Sequence, residues 1–278
     1  MKLSPIISAK ELQKILSKEN LIIVDAGSGG NSYDNFLKKH LQNALYVDLN
    51  KDLAAVPENP KFGGRHPLPK LDDFFKVLQR LGISKNSHII IYDNKFGANA
   101  ASRFWWMLKS VGIENVQVLD GGLQMAEKLG FPMDFVENKV QENSDFKLLN
   151  ENQDWTFPQI NLDFVKNLSQ NPEFTLIDVR DKARYDGETE PIDKIAGHIP
   201  YAKNLPFNEN LNEDGTFKKP EVLKEQFNQF FKNYFAEKTA ISCGSGVTAC
   251  HTILAMAYAG FEIPKLYVGS YSEWINQN

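Results

Sequence analysis

The chain has 278 residues, of which 42% are hydrophobic and 24% charged, and its formal net charge is -4, a balance typical of a soluble globular protein. Because no basic excess is available to neutralise phosphates, we expect no nucleic-acid partner. No apolar run approaches the roughly 18–20 residues that cross a bilayer, and the N-terminus lacks a secretory signal pattern, so we expect no membrane association. Two cysteines cannot form a disulfide framework, which favours a reducing, cytoplasmic location.

The first half of the chain alternates short apolar runs, which are typical of strands, with helical patterns. In chain order the informative segments are "NLIIVDAG" (20–27), "KHLQNALYVDL" (39–49), "HIIIYDNKFGANAASRFWWMLKSVG" (88–112) and "VQVLDGGLQMAEKLG" (116–130). This alternation predicts an α/β domain with a mainly parallel sheet between helices.

The second half repeats the pattern in the same order. Its matching segments are "FTLIDVRD" (174–181), "GHIPYAKNLPF" (197–207), "TAISCGSGVTACHTILAMAYAG" (239–260) and "KLYVGSYSEWINQ" (265–277). We interpret the four matches as a tandem duplication. It predicts two α/β domains over residues 1–134 and 158–278, each a mainly parallel sheet flanked by helices, with a polar linker over residues 135–157.

The two halves differ in the residue that follows the third strand. Asp93 stands there in the first half and Cys243 in the second. Ligands of open α/β sheets bind at the carboxyl ends of the strands, and of these two residues only the cysteine is a nucleophile. We therefore expect the second domain to be catalytic and the first to be inactive.

The loop "CGSGVTA" has the composition of an anion-binding cradle. Glycines allow consecutive N–H groups to point inward, and a helix beginning near Val247 adds its own unpaired N–H groups and dipole. Hydroxyl groups in the loop add further donors. Such a loop suits a cysteine thiolate or an anionic sulfur attached to it. The residues expected to bind the substrate beside Cys243 are Gly244, Ser245, Gly246, Val247 and Thr248.

Other chemistries fit this loop less well. Cysteine phosphatases carry an arginine six residues after the nucleophile, where this chain has Ala249, so the bidentate grip on phosphate is missing. Cys250 lies within the predicted helix, where core packing is favoured and a redox role stays open. The cysteines and His251 are too few for a zinc site. Without a dinucleotide or Walker loop we expect no cofactor.

These motifs resemble the tandem-domain sulfurtransferases of the rhodanese superfamily. The resemblance rests on "DVR" (178–180), "GHIP" (197–200), "CGSGVTA" (243–249) and "YVGSYSEW" (267–274), with "RFWW" (103–106) and "LDGGL" (119–123) in the first half. It implies two rhodanese-like domains, with Cys243 as the catalytic residue. It also implies that Cys243 takes sulfur from a small anionic donor, forms a persulfide and passes the sulfur to cyanide or to a thiol such as thioredoxin or glutathione.

The resemblance leaves two donors open. The neutral loop is typical of members that use 3-mercaptopyruvate, whereas thiosulfate-preferring members carry basic residues after the cysteine. Arg184 matches an arginine that binds the donor's anionic end, and it suits a carboxylate. Two positions depart from the mercaptopyruvate pattern: Ile192 stands where a second arginine is common, and Asn50 where some members carry an aspartate.

The loop "PKFGGRHPLP" (60–69) contains a further basic pair, Arg65 and His66. We expect this loop to add positive charge to the substrate cleft, although a solvated loop with an incidental basic pair would have the same composition. A non-catalytic sulfur carrier or anion-binding module also stays open, and loss of activity in a Cys243→Ala variant would separate it from an enzyme.

Overall fold

The computed structural model describes residues 3–138 and 154–277, so most of the predicted linker, 135–157, lies outside the described residues. The chain divides into two compact units. Unit 1 falls within Met1–Ala55, Pro69–Thr156 and Glu213–Thr216, and unit 2 within Val56–Leu68, Phe157–Asn212 and Phe217–Asn278. Each unit thus includes a short segment from the other half of the chain, and the loop with Arg65 and His66 belongs to unit 2. The continuous domain boundaries expected from the sequence stay predictions.

Unit 1 is built on a parallel five-stranded sheet. The strands of unit 1 are β1 (Ile6–Ile7), β2 (Leu21–Gly27), β3 (His40–Leu41), β4 (Leu45–Asp48), β5 (His88–Tyr92), β6 (Val116–Leu119) and β7 (Met133–Asp134). The helices of unit 1 are α1 (Ala9–Ile15), α2 (Ser32–Lys38), α3 (Leu71–Arg80), α4 (Ala100–Ser110) and α5 (Gly122–Lys128). The sheet order is β1-β6-β5-β2-β4, and β3 pairs separately with β7 in an antiparallel ladder.

The central strands of this sheet are apolar because helices cover both faces. All five residues of β5 are buried, and β5 pairs with β2 in a register that places Ile91 beside Val24. Helix α4 is buried at nearly every position, which explains the run of aromatic residues that includes Trp105 and Trp106. These tryptophans belong to the core of unit 1.

Unit 2 repeats the same plan. Its strands are β8 (Gln159–Ile160), β9 (Thr175–Asp178), β10 (Lys203–Asn204), β11 (Thr239–Ser242) and β12 (Lys265–Tyr267), and its α-helices are α6 (Leu162–Lys166), α7 (Lys182–Tyr185), α8 (Pro220–Phe231), α9 (Thr248–Tyr258) and α10 (Ser270–Trp274). Short 3-10 turns cover Leu168–Gln170, Phe207–Asn210 and Ala236–Lys238. The parallel sheet order is β8-β12-β11-β9-β10.

The strand order confirms the fold class predicted from the sequence. Corresponding strands of the two units have the same neighbours in their sheets. In each unit the strand of the third matched segment, β5 or β11, is the central strand of the sheet. The loop that follows it leads into a long buried helix, α4 or α9. No helix among the described residues is long and apolar enough to cross a membrane.

The loop after β5 encloses the carboxylate of Asp93. This buried side chain accepts hydrogen bonds from the backbone N–H groups of Lys95, Gly97, Asn99 and Ala101, at 2.8–3.2 Å. Inward-pointing N–H groups form an anion site, and in unit 1 the chain's own carboxylate fills it. This occupation is consistent with the prediction that the first domain is inactive.

A second buried carboxyl group, Asp25 at the end of β2, lies near Asp93. Burial raises the pKa of Asp25 to about 7; a hydrogen bond with Tyr92 opposes the shift, and the neighbouring Asp93 adds to it. The pKa in the unfolded chain is about 3.9. Folded protein therefore binds more protons than unfolded protein between these values, and Asp25 lowers stability as pH rises from about 4 to about 7.

We expect an Asp25→Asn variant to lack this component of the pH dependence. Relative to the variant, the wild type should lose up to roughly 4 kcal/mol of unfolding free energy between about pH 4 and about pH 8. Urea denaturation followed by tryptophan fluorescence measures the difference. Parallel stability profiles of the two proteins over this range would contradict the assignment.

Candidate active site

Cys243 lies directly after β11, with only 3% of its surface exposed, and its thiol is free. The next residues form a tight loop before α9 begins at Thr248. Gly246 has φ +72, and a Cβ there would overlap the carbonyl oxygen of Val268. The loop therefore requires glycine both for its backbone conformation and for the close approach of a second backbone segment.

That second segment is the start of α10, which fixes the backbone on either side of the thiol. The Ser270 hydroxyl accepts a hydrogen bond from the Cys243 N–H at 3.1 Å and donates to Tyr267 O at 2.8 Å. In return, the N–H groups of Tyr271 and Ser272 donate to Cys243 O and Gly244 O at 3.0 and 2.9 Å. Ser270 itself has φ 52, a strained conformation for a residue other than glycine.

Two guanidinium groups lie beside Gly244. Arg65 Nη2 is 2.9 Å, and Arg184 Nη2 3.6 Å, from the position that a Cβ at Gly244 would occupy. The two side chains are 26% and 15% exposed. Glycine at 244 leaves room for both, and an anionic ligand at this end of the loop would meet them. A side chain at position 244 would require Arg65 to move.

Two carboxylates bind this pair of arginines. Glu190 accepts a hydrogen bond from Arg184 Nη2 at 2.7 Å, and Asp193 forms ion pairs with both Arg65 and Arg184. Both carboxylates are 4% exposed. Burial opposes ionisation of Glu190, but the bonds from Arg184 and from two backbone N–H groups outweigh it and lower its pKa. Burial raises the pKa of Asp193, and the Arg65 charge offsets only part of that effect.

A buried ion pair lies next to this group. Arg180 donates to both carboxylate oxygens of Asp178, to Glu190 at 3.2 Å and to Gly197 O at 2.7 Å. Its guanidinium also lies 4.0 Å from the ring centre of Tyr271. All of these acceptors belong to unit 2. Arg180 therefore joins β9 to the loop that carries Glu190 and Asp193.

His66 and Ser245 form the other polar pair of the site. His66 Nδ1 lies 2.8 Å from Ser245 Oγ, with the donor set by the tautomer of the ring. Ser245 is buried and His66 half-buried. A hydroxyl and an imidazole at this distance can exchange a proton, and Ser245 is two residues from Cys243 in the chain.

The segment that carries Arg65 and His66 packs on the same residues that hold the cysteine loop. Gly64 has φ +77, and a Cβ there would overlap Gly269 O. The Arg65 N–H donates to Ser272 Oγ at 3.0 Å, and the Gly63 N–H to Glu273 Oε1 at 2.8 Å. These backbone contacts place Arg65 and His66 independently of their side-chain bonds.

The structure thus brings most residues named from the sequence into one region of unit 2. Val247 is buried, and Thr248 is half-buried as the first residue of α9. Cys250 is fully buried in α9, with its thiol 3.4 Å from Gly246 O. Ile192 points to solvent, 60% exposed, and Asn50 belongs to unit 1. Sequence reasoning did not find Glu190, Asp193 or Ser270, and their only signal was proximity to quoted motifs.

The Rhodanese-like domain model matches residues 8–127 and 161–277. The chain belongs to the rhodanese-like family. It is 35% identical over 288 residues to a probable 3-mercaptopyruvate sulfurtransferase of Pseudomonas aeruginosa, covering 99% of this chain and 96% of the relative. It is 35% identical over 249 residues to a thiosulfate sulfurtransferase of Cricetulus griseus, covering 87% and 79%. The structure of 3-mercaptopyruvate sulfurtransferase from Leishmania major superposes with TM-score 0.82 at 26% identity, covering 97% of this chain and 73% of that one.

Family membership confirms the tandem rhodanese-like architecture and the sulfurtransferase class expected from the sequence. The sulfurtransferase class implies, in general terms, a sulfur donor and a thiol or cyanide acceptor. Within the described ranges, no group of three or more His, Cys, Asp or Glu residues could hold a metal ion. The roles of the individual site residues stay predictions.

Gly246 offers a direct test of the loop's geometry. A Gly246→Ala variant should lose about 100-fold or more in kcat/KM, because the loop must move away from Val268 and displace the thiol. Gly260→Ala is the matched control, since Gly260 has φ +85 but nothing within 4 Å of its Cβ position. The control should cost about 1 kcal/mol of stability and leave kcat/KM unchanged. Equal activity losses in both variants would show that backbone strain, not the contact with Val268, determines the effect.

Proposed function

We propose that this rhodanese-like protein transfers sulfur from 3-mercaptopyruvate through a persulfide on Cys243. In the first half-reaction the thiolate attacks the donor's sulfur, a bond forms between the two sulfurs, and the carbon–sulfur bond breaks. The electron pair of that bond leaves with the carbon as the enolate of pyruvate, which takes up a proton to give pyruvate. This is covalent catalysis by an activated nucleophile.

The observation that carries this proposal is the arrangement of charge beside Gly244. Arg65 and Arg184 lie where the donor's carboxylate would bind, and Arg184 suits a bidentate contact. The loop that follows the cysteine contains no basic residue. A donor with one carboxylate and one uncharged reacting end therefore fits the site, with its carboxylate on the arginines and its sulfur toward Cys243.

His66 and Ser245 are placed to handle the proton of this step. With its proton on Nδ1, His66 can pass that proton across 2.8 Å to Ser245 while the Ser245 hydroxyl donates to the enolate carbon, and solvent returns a proton to the ring. The N–H groups of the loop and of the first turn of α9 stabilise the developing negative charge. Thr248 adds a hydroxyl at the start of that turn.

The second half-reaction returns the enzyme to its starting state. An acceptor thiolate attacks the outer sulfur of the persulfide, the sulfur–sulfur bond breaks, and the Cys243 thiolate leaves. Thioredoxin or glutathione would be released as a persulfide, and cyanide as thiocyanate. A cytoplasmic location, favoured by the cysteine usage, would supply the thiol acceptors and stays part of the proposal.

Thiosulfate is the second candidate donor. Ile192 stands where members that use 3-mercaptopyruvate often carry a second arginine, and this departure from their pattern favours thiosulfate. In this reaction the thiolate attacks the outer sulfur of thiosulfate and sulfite leaves with the electron pair. A carrier that accepts sulfur without releasing it is the remaining alternative.

We expect the wild-type protein to turn over 3-mercaptopyruvate with a kcat/KM more than about tenfold above that for thiosulfate, a difference of about 1.4 kcal/mol. The Cys243→Ala variant should be inactive with both donors. Cys250→Ala removes the other thiol of the chain and should retain activity.

Steady-state kinetics with a thiol acceptor measures the preference, and intact mass spectrometry detects the added sulfur atom on Cys243. A preference for thiosulfate would overturn the donor assignment. Persulfide formation without transfer to any acceptor would identify a carrier. Activity that survives in Cys243→Ala would overturn the assignment of the nucleophile.

A further inference from the structure

Asp193 stands out among the residues around the arginines because it contacts both of them. Its carboxylate forms ion pairs with Arg65 Nη1 and Arg184 Nη2. Arg65 Nη2 and both terminal nitrogens of Arg184 also lie near Gly244. The guanidinium pair therefore contacts an internal carboxylate and also borders the proposed site of an incoming anion.

The acidic residues balance the basic ones in this part of unit 2. Three arginines, Arg65, Arg180 and Arg184, are in contact with three carboxylates, and all three carboxylates are at most 4% exposed. The third carboxylate, Asp178, is fully engaged by Arg180. An incoming anion thus meets hydrogen-bond donors without a large excess of positive charge.

A balanced site discriminates between donors by their charge. Each additional negative charge on a ligand is attracted by the arginines and repelled by the fixed carboxylate behind them, and these interactions are strong because the groups are sheltered from water. 3-Mercaptopyruvate carries one carboxylate charge, whereas thiosulfate is a dianion. Repulsion by a buried carboxylate therefore weighs more heavily on thiosulfate.

We propose that Asp193 is a specificity-determining residue that disfavours the dianionic donor thiosulfate by offsetting the charge of Arg65 and Arg184. The inference rests on the proposed function, since it concerns the choice of donor at the same site. In this proposal Arg65 supplies hydrogen-bond donors for a carboxylate. Asp193 cancels the net positive charge that would attract a dianion.

Asp193 is not needed to place Arg184 or the backbone of Arg65. Glu190 alone accepts hydrogen bonds from Arg184 Nε and Nη2. Arg65 is fixed through its backbone, which donates to Ser272 Oγ, and through the packing of Gly64 on Gly269. An Asp193→Asn variant keeps an oxygen acceptor for the arginines and changes mainly the charge.

The test compares kcat/KM for thiosulfate and for 3-mercaptopyruvate in Asp193→Asn, Asp193→Glu and Asp186→Asn. Asp186→Asn removes the same charge from unit 2, but its carboxylate pairs with the exposed Lys182. We expect Asp193→Asn to raise the ratio of thiosulfate to 3-mercaptopyruvate kcat/KM about tenfold, or about 1.4 kcal/mol, mainly through a lower KM for thiosulfate. Asp193→Glu and Asp186→Asn should keep the wild-type ratio.

Two outcomes would overturn the inference: a ratio unchanged in folded Asp193→Asn, or the same increase in Asp186→Asn. If Asp193→Asn fails to fold, Arg65→Gln provides the opposite change, and the ratio must then fall about tenfold, or about 1.4 kcal/mol; an unchanged ratio would refute the role of charge. Failure of the proposed function is distinguishable, because it would appear in the wild type as the absence of a Cys243 persulfide with either donor.

Discussion

The close approach of two backbone segments, the loop after β11 and residues 268–272, is the constraint on which the site in unit 2 depends. Gly246 has no space for a side chain against Val268, and the start of α10 donates to the carbonyls of Cys243 and Gly244. The segment with Arg65 and His66 packs on the same turn through Gly64. One turn therefore positions the thiol, the imidazole and one of the two guanidinium groups.

The two repeats show how one loop can keep its fold and change its chemistry. In both units the loop follows the central strand of a parallel sheet and leads into a buried helix. In unit 1 the carboxylate of Asp93 accepts the inward-pointing N–H groups, so an external anion has no place. In unit 2 the loop begins instead with the thiol of Cys243.

The arginines of unit 2 are held by an acidic network that stability alone does not require. Burying an ion pair costs desolvation free energy that the pairing often only recovers, so replacing these groups by apolar residues would leave the fold possible. What the network provides is a fixed direction for each guanidinium and control of the net charge next to the loop. Both properties matter for binding a small anion with one reactive end.

Hydrophobic periodicity and the repeated motifs determined the α/β class, the duplication and the contrast between Asp93 and Cys243, because burial of strands and helices leaves a pattern within each short segment. The cysteine loop could also be recognised from the sequence, because its glycine and hydroxyl residues lie within one short segment. Glu190, Asp193 and Ser270 could not be found in this way. Asp193 and Ser270 make contacts with residues far apart in the chain, such as Arg65 with Asp193, and the packing of the segment 56–68 into unit 2 brings that pair together. The sequence by itself determined the fold and predicted Cys243 as the nucleophile, whereas the arrangement of charge beside Gly244 was decided by tertiary structure, because long-range ion pairs leave no local pattern.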